Sequence, residues 1–560
     1  MADTKITRRA FVGGSLAAGS LAFLAACGQK GAPAGGGSAA GGAAAGGTLN
    51  YYISNPVCID PYNVQETQGT QVCLQLFDAL TTYDAEKEEL KGLAAESWEA
   101  NDDATEFTFH LVKGAKFHNG DPVDAESFKR AWTRVVNPKS AVATAYAPSE
   151  VSYHLSVIEG YDALSKGDTD EFTGVTAKDD TTLVVKLSAP YADFAFIASH
   201  PALSPVPEAA ESDAKAYYLA PIGNGPFKMD GSWEDGQQIN LVRNEDYYGE
   251  KAKLDGIHFA IFKDVETAYK EFQAGNLDVT DVPVAQIDAA KSERGESKDG
   301  YTMAEGQHML LGGEPSTYYL TLNNAAEPFN NPDLRKGVSY AINRAAICET
   351  LFKGTRTPAD GIIPPGIEGY TEGAWEFAAY DVDKANEYLD KVAPMKDGSR
   401  GISLTLSYNQ DGGHKEIMES IIGDLAKVGV DVSSDTPEWG ALLDQYADGN
   451  YEFGRLGWVA DYPIMDNFLY PLFHTDSIGG DNKSQYSNPE VDQLITEARS
   501  TVDAQERVKK MKEADAKIAA DCPIIPIMFY THVIAGSDRV KHLYIDPQQH
   551  AWLGTAELSA

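Results

Sequence analysis

An α/β fold with mixed sheets is expected from three features of this 560-residue chain. Ile402, Leu404 and Leu406 alternate as a strand, and Ile417, Ile421, Leu425 and Val428 mark one face of a helix that Gly429 closes. Val430 and Val432 then resume a strand, and a strand returning after one crossover helix makes a parallel pair with a right-handed connection. A further helix near 442–447 and an apolar strand over 453–458 extend the pattern. Elsewhere Phe107, Phe109 and Leu111 alternate with polar residues over 105–112, the signature of a half-buried strand.

At the N-terminus Lys5, Arg8 and Arg9 precede an apolar run from Val12 to Phe23, and Ala25 and Ala26 are the small residues a signal peptidase requires. The run is too short for a stable membrane span. Leu24-Ala25-Ala26-Cys27 resembles the lipobox of bacterial lipoproteins, which implies a signal peptide over 1–26 and an acylated Cys27. Because each buried methylene of an acyl chain contributes about 0.8 kcal/mol, multiple acylation would anchor the chain firmly. Arg8-Arg9 followed by Phe11 resembles a twin-arginine export signal, although an ordinary positive n-region has the same residues. Residues 27–47 form a linker almost entirely of Gly, Ala, Ser and Pro, with almost nothing to pack, hence a flexible tether.

The remainder, about 510 residues, is long enough for two or three domains. The whole chain carries 46 Lys and Arg against 83 Asp and Glu, a net −37, which argues against nucleic acid and against electrostatic attachment to anionic lipid. Cys58, Cys73, Cys348 and Cys522 are dispersed, with no Cys/His cluster at metal spacing. They read mainly as small buried apolar residues, while two disulfides in any of three connectivities stay open.

Along the folded part, a first strand is expected over Tyr51 to Val57. The strand over 105–112 leads through Gly114 to another near Phe117, and His118 to Pro122 form a turn. Asp124 caps a helix whose Phe128, Trp132 and Val135 share a face and which ends before Asn137-Pro138. Asn331-Pro332 starts another helix with N-cap and N1 chemistry. Parallel sheets take ligands beyond the carboxyl ends of their strands, which directs attention to Gly457-Trp458-Val459-Ala460-Asp461-Tyr462.

That segment, followed by Asp466-Asn467-Phe468-Leu469, resembles the signature of the peptide and oligopeptide-binding proteins that serve ABC importers, bacterial extracellular solute-binding proteins of family 5. Other blocks agree in order: Asp60-Pro61, Ala94 to Trp98, Phe107 to Leu111 with Asn119-Gly120, Asn331 to Arg344, Tyr486 to Pro489, and Cys522 to Pro526. The resemblance implies a periplasmic-binding-protein-like fold of two lobes with an extra small domain and a two-segment hinge. Lobe one would take 48–68, 192–315 and 532–560, the small domain 69–191, and lobe two 316–531.

The resemblance also implies roles for individual residues. Asp461 would accept the peptide α-ammonium, a short, strong bond in a low-dielectric site. Arg455 would receive a peptide C-terminal carboxylate, and His414 would contact the far end of longer peptides. Trp458 would flank the ligand and Tyr146 would lie near its backbone. Asn55 and Val57, on the first strand, would offer main-chain bonds along its edge. Two departures stand out. Ser316 and Val459 occupy positions that some relatives join by a disulfide, and Tyr446 stands where a second carboxylate-binding arginine can occur.

The expected function is therefore a non-enzymatic, monomeric receptor, lipid-anchored on the outer face of the cytoplasmic membrane. It would pass peptides to a permease with its ATPases and would use neither cofactor nor metal. Relatives of the same fold that bind a nickel chelate, haem, an opine or an oligosaccharide generally lack the aspartate of this motif. A secreted hydrolase is the alternative from another class, and the mature chain has no Gly-x-Ser-x-Gly, His-Glu-x-x-His or P-loop to support it.

Overall fold

Two unusually long strands, Met309–Leu322 and Ile524–Gly536, run antiparallel through the centre of one eleven-stranded sheet. The computed structural model describes residues 46–64, 67–409 and 414–559, so Arg8, Arg9 and Cys27 lie outside the described residues. At about 3.3 Å per residue each long strand reaches some 40 Å, enough to belong to two half-sheets at once. Their pairing is interrupted. Met309 to Gly313 pair with Ala535 to Thr531, Thr317 to Thr321 pair with Phe529 to Ile524, and the register shifts between Gly313 and Thr317. An irregularity of this kind bends and twists a ladder locally.

On one side of that break the sheet continues through Val279–Asp281, Thr48–Ile53, Gly256–Ile261, Gln238–Arg243 and Phe227–Met229. On the other it continues through Phe453–Val459, Ile402–Ser407 and Val430–Asp435. The last two strands pair in parallel in the register Ile402 with Val430, and the helix Lys415–Lys427 crosses between them. Gly429 ends that helix at φ +77°, a left-handed conformation that glycine adopts without steric cost. The expected βαβ unit is thus present, with Ile417, Ile421, Leu425 and Val428 all buried.

A four-stranded antiparallel sheet, ordered Ala95–Ala100, Glu106–Leu111, Thr182–Lys186 and Val175–Asp179, stands beside the first half-sheet. The helix Ala125–Val136 covers it, started by a capping box in which the Asp124 carboxylate accepts from Ser127 N–H and the Ser127 hydroxyl accepts from Asp124 N–H. Phe128, Trp132 and Val135 point into a core shared with Phe107, Phe109 and Leu49.

Two expectations about strands need correction. Near Phe117 there is only an isolated bridge between Lys116 and Pro122, because the turn from His118 to Pro122 leaves too few residues for a ladder. The first strand spans Thr48–Ile53, not Tyr51 to Val57, and its edges are not free. Gly256–Ile261 pairs along one edge and Val279 along the other. Pro56 has no N–H and restrains Asn55, so the ladder stops before Asn55 and Val57. All four cysteines of the described residues are buried and free. No helix of the described residues is long and apolar enough to cross a membrane.

Candidate functional site

The strand Phe453–Val459 emerges at the carboxyl end of its half-sheet and passes directly into the site. Ala460 N–H still bonds Pro315 O at 2.9 Å, which fixes the chain up to the next residue, Asp461. The helix Asp466–Phe473 follows, and its buried Asn467 organises the turn. Asn467 Oδ1 accepts from Asp461 N–H at 3.0 Å and from Trp458 Nε1 at 3.2 Å, while its Nδ2 donates to Asp461 Oδ2 at 2.9 Å. One amide thus orients both the carboxylate and the indole. Asn467 stands six residues after Asp461, and no pattern in the sequence marks its role.

Asp461 lies where two cavities meet. The larger, about 670 Å³, is lined by Tyr153, His154, Tyr191, Trp458, Tyr470 and Arg499 among others. The smaller, about 300 Å³, is lined by Val64, Tyr83, His200, Gln548 and Trp552 among others. Both therefore have walls drawn from the first half-sheet with its neighbouring small sheet and from the second half-sheet. Between them stand His154 and His200, with ring centroids 4.1 Å apart, and Tyr153 lies 4.2 Å from His154 on the other side. Burial pushes His154 down to about 3 and His200 well below the usual histidine range, so both face Asp461 uncharged at neutral pH. Burial also raises Asp461 above the ordinary aspartate value, and the Asn467 bond offsets only part of this. Among the described residues no lysine or arginine forms an ion pair with Asp461. A desolvated carboxylate held by one neutral amide is an acceptor awaiting a cation.

A second cluster sits on the same strand. Arg455 Nη1 donates to Asn409 Oδ1 at 3.3 Å, and its guanidinium lies 5.3 Å from the centre of the Tyr318 ring. Tyr318 Oη in turn meets His414 Nδ1 at 3.2 Å, so Arg455 and His414 come together through one tyrosine. His414 is buried at the N-cap of the crossover helix. Tyr446, fully buried, donates its hydroxyl to Ser407 O at 3.0 Å and to Arg455 O at 3.2 Å, and so braces the strand that carries Arg455.

The model of the bacterial extracellular solute-binding proteins, family 5, matches residues 89–480, most of the chain, Asp461 included. The chain belongs to that family. Family 5 relatives include the oligopeptide-binding protein OppA of Bacillus subtilis, 31% identical over 88% of this chain and 89% of its own length. The dipeptide-binding protein DppE of the same organism is 28% identical over 89% of each. Among solved structures, Haemophilus influenzae OppA in complex with RPPGFSPFR superposes with a TM-score of 0.70 at 27% identity, covering 92% of this chain and 99% of that one.

The other residues singled out from the sequence of this family 5 chain lie away from Asp461. Tyr146, 46% exposed, stacks on Tyr218 with ring centroids 4.0 Å apart, and Tyr218 Oη donates to Val57 O at 3.2 Å. Tyr146 and Val57 thus belong to one exposed patch. Asn55 is turned to a neighbouring loop, donating to Asp235 Oδ1 at 2.8 Å and accepting from Gly236 N–H at 2.9 Å. Neither Asn55 nor Val57, Tyr146, Arg455 or His414 lines the two cavities at Asp461. Ser316 and Val459 face each other across adjacent strands. Among the described residues no three His, Cys, Asp or Glu side chains gather as metal ligands.

Proposed function

We propose that this chain is the peptide-capturing receptor of an ABC importer, with Asp461 as the acceptor for the α-ammonium of the bound peptide. The observation that carries this reading is the desolvated Asp461 carboxylate, without a cation of its own, at the junction of two cavities with walls from both half-sheets. A peptide N-terminus brings the missing charge, and enclosure strengthens the bond it forms. The names of the relatives, which bind oligopeptides and dipeptides, support the same ligand class. Arg455, with His414 behind it, stands earlier on the same strand as the donor to a peptide carboxylate.

The two half-sheets act as lobes in this reading, and the register break at Gly313 to Thr317 with the facing residues of the other long strand is the two-segment hinge. The small domain takes 69–191, lobe one 48–68 with 192–315 and 532–560, and lobe two 316–531. The signal peptide over 1–26 exports the chain, Cys27 carries the lipid, and the tether to residue 47 keeps the receptor on the outer face of the membrane near its permease and ATPases. No step of this cycle alters the peptide, so the receptor is not an enzyme.

Calorimetry with one tetrapeptide and its N-acetylated counterpart tests the reading. The free peptide is expected to bind with micromolar or better affinity and the acetylated one about 100-fold more weakly, a loss Asp461→Ala reproduces for the free peptide. Equal binding of the two peptides overturns the role of Asp461.

A further inference from the structure

A third cavity, of about 180 Å³, lies beyond the one lined by His200, and Leu74, Thr82, Ser199, Pro201, His550 and Trp552 line both. The C-terminal segment closes it. Gln75 Nε2 donates to Ala551 O at 3.0 Å, and Ala551 N–H donates to Gln71 Oε1 at 3.0 Å, which ties that segment to the helix Thr67–Leu76. Most of the wall is apolar, with Phe77, Leu93 and Leu553 among its side chains.

Two buried polar residues, Asp78 and Ser204, belong to that wall, and Asp78 has unused capacity. Asp78 is 3% exposed, and the hydroxyls of Tyr247 and Tyr248 both donate to its Oδ2, at 2.8 and 2.6 Å. Its Oδ1 accepts from none of the described residues. Ser204, 1% exposed, has an Oγ with no hydrogen-bond partner. Burial pushes the Asp78 carboxyl up to about 6, and the hydrogen bonds from the two phenols offset part of that rise. Where this chain buries an aspartate for structure it can supply a cation, as Arg134 does for Asp60 with two bonds of 2.8 and 2.6 Å. At Asp78 it supplies two neutral donors and leaves one oxygen facing an apolar space. A buried carboxylate of that kind favours a ligand that brings a charged donor.

The size limits the rest of the ligand. An apolar cavity of about 150 Å³ accepts a benzene ring, so this chamber has room for one ring or a short branched chain with a polar head. We propose that the chamber is a second small-ligand site, independent of Asp461, for a compact primary ammonium on an apolar body. The ammonium donates to Asp78 Oδ1, and the apolar body lies against Phe77, Leu93 and Leu553.

The probe is 2-phenylethylamine, titrated into the purified protein by calorimetry at pH 7.5. Saturable binding of one equivalent is expected, and Asp461→Ala leaves it unchanged, which separates this site from the peptide cleft. The uncharged isostere 2-phenylethanol is expected to bind at least tenfold more weakly. Asp78→Asn keeps an acceptor for both tyrosines while removing the charge, and is expected to weaken the amine by at least tenfold. Leu93→Phe fills the chamber without touching the carboxylate and is expected to abolish binding, which decides the matter if Asp78→Asn does not fold. The proposal is overturned by an absence of saturable heat at millimolar amine, by loss of binding in Asp461→Ala, or by unchanged binding in Leu93→Phe.

Discussion

Asp60 and Asp461 each follow a strand of the large sheet, and the chain treats them in opposite ways. Asp60 is wholly buried and saturated: Arg134 grips both oxygens, Tyr62 N–H adds a third bond at 3.0 Å, and the guanidinium lies over the rings of Tyr62 and Tyr217. Asp461 is half-buried, receives one neutral side-chain donor, and opens onto two cavities. The difference separates a saturated from an unsaturated carboxylate in a chain with 83 acidic residues, where composition alone separates nothing. A fully compensated charge holds the fold together, whereas a carboxylate left with an amide has capacity for something outside the chain.

Breaking the two sites should therefore damage different properties. Asp60→Ala leaves Arg134 buried without its partner and is expected to cost about 3–5 kcal/mol of stability, read from urea unfolding. Asp461→Ala is expected to leave the unfolding midpoint unchanged or raised, since it removes a carboxylate that burial already disfavours. Comparable destabilisation by the two substitutions would end the contrast.

Proton linkage sharpens it. Burial raises the pKa of Asp461, so the unliganded fold holds that proton more tightly than the unfolded chain. The fold accordingly loses stability as pH rises from the unfolded value through the raised one, and the cost is complete above it. A ligand ammonium reverses the balance because it requires the ionised form. Peptide affinity is expected to be full above the raised pKa and to fall by up to about tenfold per pH unit below it. His154 and His200, held neutral by burial, contribute little near neutral pH, but Asp481 lines the larger cavity with Asp461 and is itself raised by burial. Titrating Asp461→Asn beside the wild type isolates the Asp461 component, and parallel profiles would remove it.

Asn467 is the next point of leverage. Asn467→Ala removes the bond to Asp461 Oδ2 and the shared acceptor of Asp461 N–H and Trp458 Nε1. With the carboxylate charged but no longer oriented, peptide affinity is expected to fall about tenfold, corresponding to roughly 1.4 kcal/mol. Asn467→Asp, which keeps an acceptor but sets a second negative charge beside Asp461, is expected to raise the Asp461 pKa further and to shift the pH profile upward.

The parts of this arrangement that could be read in advance are those governed by local periodicity. The βαβ unit from Ile402 to Val432, the Asp124 cap and the Asn331-Pro332 start all depend on residues within a few turns of one another. The first strand was misplaced because its partners, Gly256–Ile261 and Val279, lie some 200 residues away and only they define where the ladder ends. The position of Asp461 just beyond its strand was legible through the strand pattern and the motif. Its surroundings were not: the stack of Tyr153, His154 and His200 brings together distant segments with no shared pattern, and a lone helical asparagine such as Asn467 has no periodicity to betray its role. Tyr446 illustrates the same limit, since only the fold turns its hydroxyl onto two backbone carbonyls.

The contrast between saturated and unsaturated charge also extends to how the cleft opens. Arg507 Nη2 reaches Asp193 Oδ1 at 2.7 Å, Ala192 N–H bonds Arg499 O at 2.8 Å, and Tyr191 Oη donates to Asp466 Oδ2 at 2.9 Å. Arg499 lies between the Tyr191 and Tyr470 rings at 4.4 and 3.8 Å. These bonds join the segment 191–193 to the helices of the second half-sheet, so separation of the two walls must break them and return their charges to water. The Asp193–Arg507 pair is only partly compensated, since burial still raises Asp193 to about 6, and both members regain hydration on opening, so its net contribution is correspondingly small. Asp193→Asn is expected to accelerate peptide release about threefold, measured by stopped-flow chase with unlabelled peptide, while leaving the association rate nearly unchanged. A change confined to association would show that this contact forms before the ligand is enclosed, and would move it from the closing step to the capture step.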